Sequence, residues 1–421
     1  MVNFKICEGI RTVVNRYKGL FSANLSKYNA QCALFTYYLF GMNSLSQLAR
    51  ECPWSCSVSE LSRAVNCFNG NRAMIRLRKS ILKRFKGKLR PQDFCFALDD
   101  TANPKYGKNT FGGGFWRGAD GVMFGQKIIV LSLVDIKNKV AYPLAHTFAI
   151  KKTEENYKKI PVLSLELLKT VLAEGFPKLP LTVDSWFDGA DFINELDKLG
   201  VTLVGQFKSN RNVKTGISPR AKWKNIKEFF RSLTRSKVQA NPLSSEKTKK
   251  HKWFSEQKIY IKKVKKRVIA IAVYNRKNGK DAFGFYFSND LSLSGAQLWR
   301  YSRARWRIEC LFRDLKQNLS FGKLPCQGEN AANLAVCFPF ILYVSLNLEH
   351  KKAWKLRSVE STGSVIRRVM QREWRRSVEE IRKNPDSELV MKFRSRNHHT
   401  RLTRKPIDSA VEKNGSYKMA S

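Results

Sequence analysis

The sequence predicts a mixed α/β chain: a central sheet with helices on both faces, a strand-rich basic insertion, and a helical N-terminal segment. Three observations lead there. Short apolar runs at 94–98 and 179–183 run straight into acids and read as strands buried on both faces. Between and after them, segments of helical and strand period alternate, as in a sheet covered on both sides. Residues 206–280 then break that rhythm with 23 Lys/Arg against 3 acids, a net of +20.

Composition narrows the function. The chain has 421 residues, 78 Lys+Arg and 34 Asp+Glu, for a formal charge of +44. With 43% apolar and 12% aromatic residues it can bury a sizeable core, which excludes a mostly disordered basic tail protein. The charge excludes an ordinary near-neutral metabolic enzyme and calls for a polyanion, most commonly nucleic acid. A membrane surface is the lesser option, since no basic amphipathic stretch adjoins a lipidation signal. The nearly uncharged run 331–348 contains two asparagines and a proline and reads as a buried core helix rather than a membrane span. The N-terminus lacks the pattern of a secretory signal. Nine scattered cysteines fit a reducing compartment. The expected location is therefore cytoplasmic and nucleoid-associated.

Residues 1–90 read as a helical DNA-binding domain. A helix at 44–51 is followed by Pro53 and by Ser57-Val58-Ser59-Glu60, the spacing of a capping box that opens a second helix. The pair is compatible with a helix-turn-helix or with an ordinary helical hairpin. Residues 71–90 carry nine Lys/Arg and no acid, while Met74, Leu77, Ile81, Leu82 and Phe85 keep a helical period on the other side. The catalytic core is assigned to 91–210 and 291–350, and the basic β-rich insertion, read as a nucleic-acid face, to 211–290. The basic tail spans 351–421, with 19 basic and 8 acidic residues. Within the core, a hairpin is expected at 127–135 and 139–149, a helix at 153–174 interrupted by Pro161, a helix at 190–199 and a strand at 201–207. The FGGGF segment at 111–115 lacks the Lys-Ser/Thr of a P-loop and reads as a mobile loop beside the active site.

The chemistry centres on carboxylates. Asp99 and Asp184 each emerge at the end or centre of a core strand, where a buried carboxylate without a partner is costly. Two such groups close together would hold a divalent cation, with oxygen ligands favouring Mg²⁺ or Mn²⁺. The alternative is that each caps the following element. Arg305, Glu309 and Lys316 lie along one side of a single helix, and Glu309 could equally form an ion pair with Arg305 or Arg313. Cys52, Cys56 and Cys67 have no nearby His and make a poor zinc site.

Taken together, LDDT (98–101), VDSWF (183–187) with GQFKSN (205–210), and RWRIE-x6-K (305–316) resemble the DDE transposases of bacterial insertion sequences. The likeness is to the cut-and-paste group marked by a Tyr/Arg/Glu/Lys signature, over about residues 93–348. Tyr301 departs from that pattern, standing one residue further from Arg305 than the family places it. The resemblance implies a ribonuclease-H-like core with a β-rich insertion between the second Asp and the Glu. It implies Asp99, Asp184 and Glu309 as catalytic ligands of Mg²⁺, with Asp100 the alternative at the first position and Mn²⁺ able to substitute. Arg305 and Lys316 would hold phosphates, Trp306 would stack on an unpaired base or pack in the core, and Tyr301, Lys208 and Arg211 would contact DNA. The implied activity is cleavage of the element's ends and transfer of their 3′ hydroxyls to target DNA. The partner is double-stranded DNA, bound by at least a dimer. A non-catalytic DNA-binding protein and a structure-specific nuclease are the alternatives.

Overall fold

A computed structural model of the chain describes residues 13–17, 20, 28–40, 44–51, 56–105, 107, 109–118, 121–216, 222–233, 238–240, 252–276, 282–324, 327–349 and 383. The basic tail, with His398 and His399, lies outside the described residues apart from Lys383, as do Cys52 and Pro53.

Helices α1 (Tyr28–Phe40), α2 (Leu45–Glu51), α3 (Val58–Asn66) and α4 (Gly70–Phe85) form the N-terminal segment. The capping box of α3 is present: Glu60 N–H donates to Ser57 Oγ at 3.2 Å, and Ser57 N–H to Glu60 Oε2 at 3.0 Å. Helix α4 buries Met74, Leu77, Ile81 and Phe85, as its period requires. Arg78, however, is buried on the same helix, donating through Nε to Glu174 at 2.6 Å and through Nη1 to the Leu144 carbonyl at 3.0 Å. It ties the segment to the core instead of facing phosphate.

The described strands form one twelve-stranded mixed sheet. Its first half comprises β1 (Phe94–Pro104), β2 (Gly113–Gly118), β3 (Gly121–Asp135), β4 (Val140–Ala149), β5 (Leu181–Val183) and β6 (Leu203–Gln206). Strand β1 pairs antiparallel with β3 and parallel with β5, and β5 is parallel to β6. Strand β3 pairs with β2 along its first part and with β4 along the rest. Strands β7 (Asn212–Lys214), β8 (Lys224–Asn225), β9 (Val238–Ala240), β10 (Trp253–Ile261), β11 (Val268–Tyr274) and β12 (Gly284–Ser288) continue the same sheet, because β12 pairs antiparallel with β6. The insertion is thus joined edge to edge with the core. Its strand β11 is buried throughout, which its run VIAIAVY anticipates.

Helices α5 (Ile160–Ala173), α6 (Ala190–Lys198), α7 (Ile226–Arg231), α8 (Gly295–Asn318) and α9 (Glu329–Val344) complete the structure. Helix α5 begins one residue before Pro161 rather than being broken by it: proline is tolerated in the first helical turn, where the missing N–H has no intrahelical partner to lose. The apolar window in 329–348 is 89% buried and packs against α1, α3 and α4, so it forms core between the N-terminal segment and the sheet.

Two local expectations are corrected. Strand β1 does not stop at Asp99 but runs to Pro104, carried by an unbroken register with β3 from Phe94↔Asp135 to Pro104↔Gly125. Gly125 makes that pairing possible, since a Cβ there would lie 2.1 Å from the Asn103 carbonyl oxygen. The FGGGF segment is not wholly a loop: Gly113 to Phe115 are in β2, where pairing with Phe124, Gly125 and Gln126 overrides the weak strand preference of glycine.

Candidate active site

Side chains alternate along β1, so Asp99, Thr101 and Asn103 share one face and Asp100 and Ala102 the other. Asp184 follows β5 directly. The last paired residues of β1 and β5 are Ala97 and Thr182, so Asp99 and Asp184 stand two residues further along neighbouring parallel strands. Adjacent strands are about 4.8 Å apart, which brings the two carboxylates into one field. Asp184 is fixed by its backbone setting: Oδ1 accepts from Trp186 N–H at 2.9 Å, capping a single turn over Ser185–Phe187.

Helix α8 packs across β1, β5, β6 and β12. It buries Ala304, Ile308, Leu311, Phe312 and Leu315, which sets the rotation of the helix and aims Arg305 and Glu309 at β1. Arg305 Nη1 donates to Asp99 Oδ2 at 2.7 Å and Nη2 to Glu309 Oε1 at 2.6 Å. One guanidinium thus bridges two carboxylates contributed by residues 99 and 309. The ion pair anticipated between Arg305 and Glu309 is present, and Asp99 joins it.

Burial pushes the Asp99 carboxyl up to about 7; Arg305 opposes this, while Asp184 adds repulsion. Asp184 is raised as well, by burial first, against the Trp186 N–H and Arg305. Two neighbouring acids held above their ordinary range are short of positive charge. Asp100 is placed differently, paired with Lys127 at 3.0 Å. Lys316 Nζ donates to the Ala102 carbonyl at 2.8 Å, and burial lowers its pKa.

Among the described residues no three Asp, Glu, His or Cys side chains stand together ready to hold an ion. The reason is visible in the geometry, because Arg305 lies between Asp99 and Glu309. In donor chemistry the set nonetheless fits a hard divalent cation: it offers carboxylate oxygens only, and Asp99 and Asp184 are both raised, first by burial and then by neighbouring carboxylates, Asp184 and Asp100 acting on Asp99 and Asp100 on Asp184.

Residues 149–345 match the transposase DDE domain family, and residues 37–225 match the DDE superfamily endonuclease family. Each match spans a little under half of the chain and likens it to the DDE superfamily of transposases and endonucleases. Solved structures similar to the chain include a piggyBac transposase synaptic complex with hairpin DNA, at 11% identity, covering 97% of this chain and 86% of that one, with a TM-score of 0.42. Another is an endonuclease V of Ciona intestinalis in complex with inosine-containing DNA, at 12% identity, covering 59% and 96%, with a TM-score of 0.27. At such scores neither likeness bears on the reading. No curated protein matches the sequence.

The remaining anticipated DNA contacts divide. Trp306 is half-exposed, at 51%, so it is not a core tryptophan. Tyr301 must be corrected: it is buried, and its hydroxyl donates to the Pro91 carbonyl at 2.8 Å, so the ring braces α8 against the start of the sheet and is not presented to DNA. Arg211 is partly engaged within the protein, donating through Nη2 to the Asp188 carbonyl at 2.7 Å. Asp188, in turn, accepts from Lys208 N–H at 3.4 Å and so fastens the 208–211 turn. The Lys208 ammonium lies 5.0 Å from the ring centroid of Trp186. Trp186, 74% exposed beside Asp184, is the feature the sequence reading missed. Lys127, between Trp116 and Trp186 at 5.9 Å from each ring, also went unnoticed. The adjacency of Trp186 to the second Asp was the available signal.

Proposed function

We propose that the chain is a cut-and-paste transposase of the Tyr/Arg/Glu/Lys group of bacterial insertion sequences, with Asp99, Asp184 and Glu309 as its catalytic carboxylates. The observation that supports this most is the Arg305 bridge between Asp99 and Glu309 beside Asp184. The strand order β4-β3-β1-β5-β6, with two antiparallel steps and then two parallel ones, supports a ribonuclease-H-like core. Residues 1–90 act as the DNA-binding segment, 211–290 as the basic insertion and 351–421 as the basic tail. The protein works as a dimer on double-stranded DNA in the bacterial cytoplasm.

Asp99, Asp184 and Glu309 would hold Mg²⁺, or Mn²⁺ in its place. Such ions supply Lewis-acid stabilisation of the attacking and leaving oxygens of a phosphodiester displacement. The chain's own residues do the rest. Arg305, with its planar fork, neutralises the carboxylates and engages a phosphate, and Lys316 supplies a point charge about three turns further along α8. Trp306 offers an exposed ring for an unpaired base. Water attacks the phosphodiester at the element's end, the bond to the 3′ oxygen breaks, and the freed 3′ hydroxyl then attacks a target phosphodiester. One bond is exchanged for another in the second step, so no nucleotide triphosphate is needed.

The match to the DDE superfamily endonuclease family favours one other reading, a nuclease that cuts without joining. Incubating a 3′-hydroxyl end labelled at its 5′ terminus with supercoiled target DNA and Mg²⁺ separates the two. Label transferred covalently to the target supports the transposase; cut DNA with no label in the target supports the nuclease.

A further inference from the structure

A cleft of about 1010 Å³ opens between the N-terminal helices α2 and α3 and the far end of β1. Three lysines line it, Lys105, Lys316 and Lys323, and among the described residues no Asp or Glu does. Glu329 begins α9 nearby but is not part of the lining. Lys105 and Lys316 are held in place through neutral carbonyls: Lys105 Nζ donates to Gly322 O at 2.6 Å and Leu324 O at 3.1 Å, and Lys316 Nζ to Ala102 O at 2.8 Å. The hydrogen bond to a carbonyl orients the Lys316 ammonium without cancelling its charge.

Two further features point the same way. Asn103 lines the cleft at 4% exposure, and its Nδ2 is buried without a hydrogen-bond partner. A buried amide donor left unmatched costs free energy that an incoming acceptor recovers. Gly328, also lining the cleft, is the N-cap of the sixteen-residue helix α9 and contributes no side-chain cap, so the N-terminus of α9, which carries Glu329 in its first turn, borders the same space.

We infer that this cleft binds the sugar-phosphate backbone of the DNA strand running on from the catalytic carboxylates. The inference rests on the proposed function and extends it to a second contact site. Its position sets the register. Lys316 is seven residues beyond Glu309 on α8, and Asn103 four beyond Asp99 on β1, so the cleft begins about 10–13 Å from the acids. At 3.4 Å per step along a duplex strand, that is three to four phosphates from the scissile one.

The test measures binding of duplex DNA from the flank of the gene, without divalent metal, to the full chain across a salt series. Lys323 and Gln327 are exposed and line the cleft, so Lys323→Ala and Gln327→Glu leave folding intact. Lys323→Ala is expected to reduce the slope of log K against log salt by about 0.9, whereas Lys169→Ala, on the exposed face of α5, leaves it unchanged. Gln327→Glu is expected to weaken binding about tenfold at low salt through charge repulsion. A single neutral methylphosphonate at the third or fourth phosphate should weaken wild type about tenfold and Lys323→Ala much less. If both cleft variants bind as wild type at every salt while metal-dependent cleavage persists, the cleft assignment is overturned and the catalytic reading stands. If wild type binds no DNA, both are overturned.

Discussion

Replacing Arg305 by Gln removes the group that joins Asp99 to Glu309. The side chains of Arg305, Asp99 and Glu309 are 19%, 14% and 31% exposed, so the cluster is largely desolvated. Removing one member of a fully buried ion pair costs about 3–5 kcal/mol. Residual solvent contact reduces this to an expected loss of about 2–3 kcal/mol for Arg305→Gln. Most of that is the penalty of stranding Asp99, so Asp99→Asn in the same chain should return much of it. The double-mutant coupling should be about 1.5–2 kcal/mol. Urea unfolding midpoints of the wild type, both single variants and the double variant, measured at pH 8 where Asp99 is ionised, supply the four terms. Additivity to within about 0.5 kcal/mol would refute the bridge as the organising contact of the site.

His146 is buried between Phe148 and Phe340, with Nε2 3.0 Å from Asn333 Oδ1, and burial lowers its pKa to about 4 from 6.5. The unfolded chain takes up a proton there near pH 6.5 and the folded chain does not. Stability is therefore fully present above that pH and falls as pH drops towards 4, by about 3 kcal/mol. His146→Gln should flatten that part of a urea-midpoint profile between pH 7 and 4.5, and parallel profiles would contradict it. Gly205→Ala places a Cβ 2.6 Å from the Phe287 ring where β6 meets β12, so about 1–3 kcal/mol of stability should be lost; an unchanged melting midpoint would show that the seam yields. Ser57→Ala should cost about 1 kcal/mol by removing the cap of α3, read in the same way.

The helices with strong amphipathic spacing were readable in the sequence. Ser57 and Glu60 announced α3, and the buried stripe of α8 aims Arg305 and Glu309 as their i, i+4 spacing allows. What the sequence could not express was pairing between distant strands. Nothing local says that β12 joins β6, so the insertion looked separate when it is an extension of the sheet. Nothing local carries β1 past Asp99 either, because its continuation depends on β3 and on the space left by Gly125. The same limit explains Tyr301, which looked like a surface contact until the loop at Pro91 came to meet its hydroxyl. It also explains Asp100, whose separation from Asp99 rests on strand alternation and on Lys127 from the neighbouring strand.

The central claim is that Asp99, Asp184 and Glu309 form one DNA-cleaving site. Its most direct test incubates purified protein, Mg²⁺ or Mn²⁺, and the DNA flanking the gene with its terminal repeats, and compares wild type with Asp184→Asn and Glu309→Gln. Metal-dependent cuts at the repeat boundary by wild type, lost in both variants while DNA binding is retained, are the predicted result. Equal cutting by either variant, or binding by wild type with no cut under either metal, would contradict it.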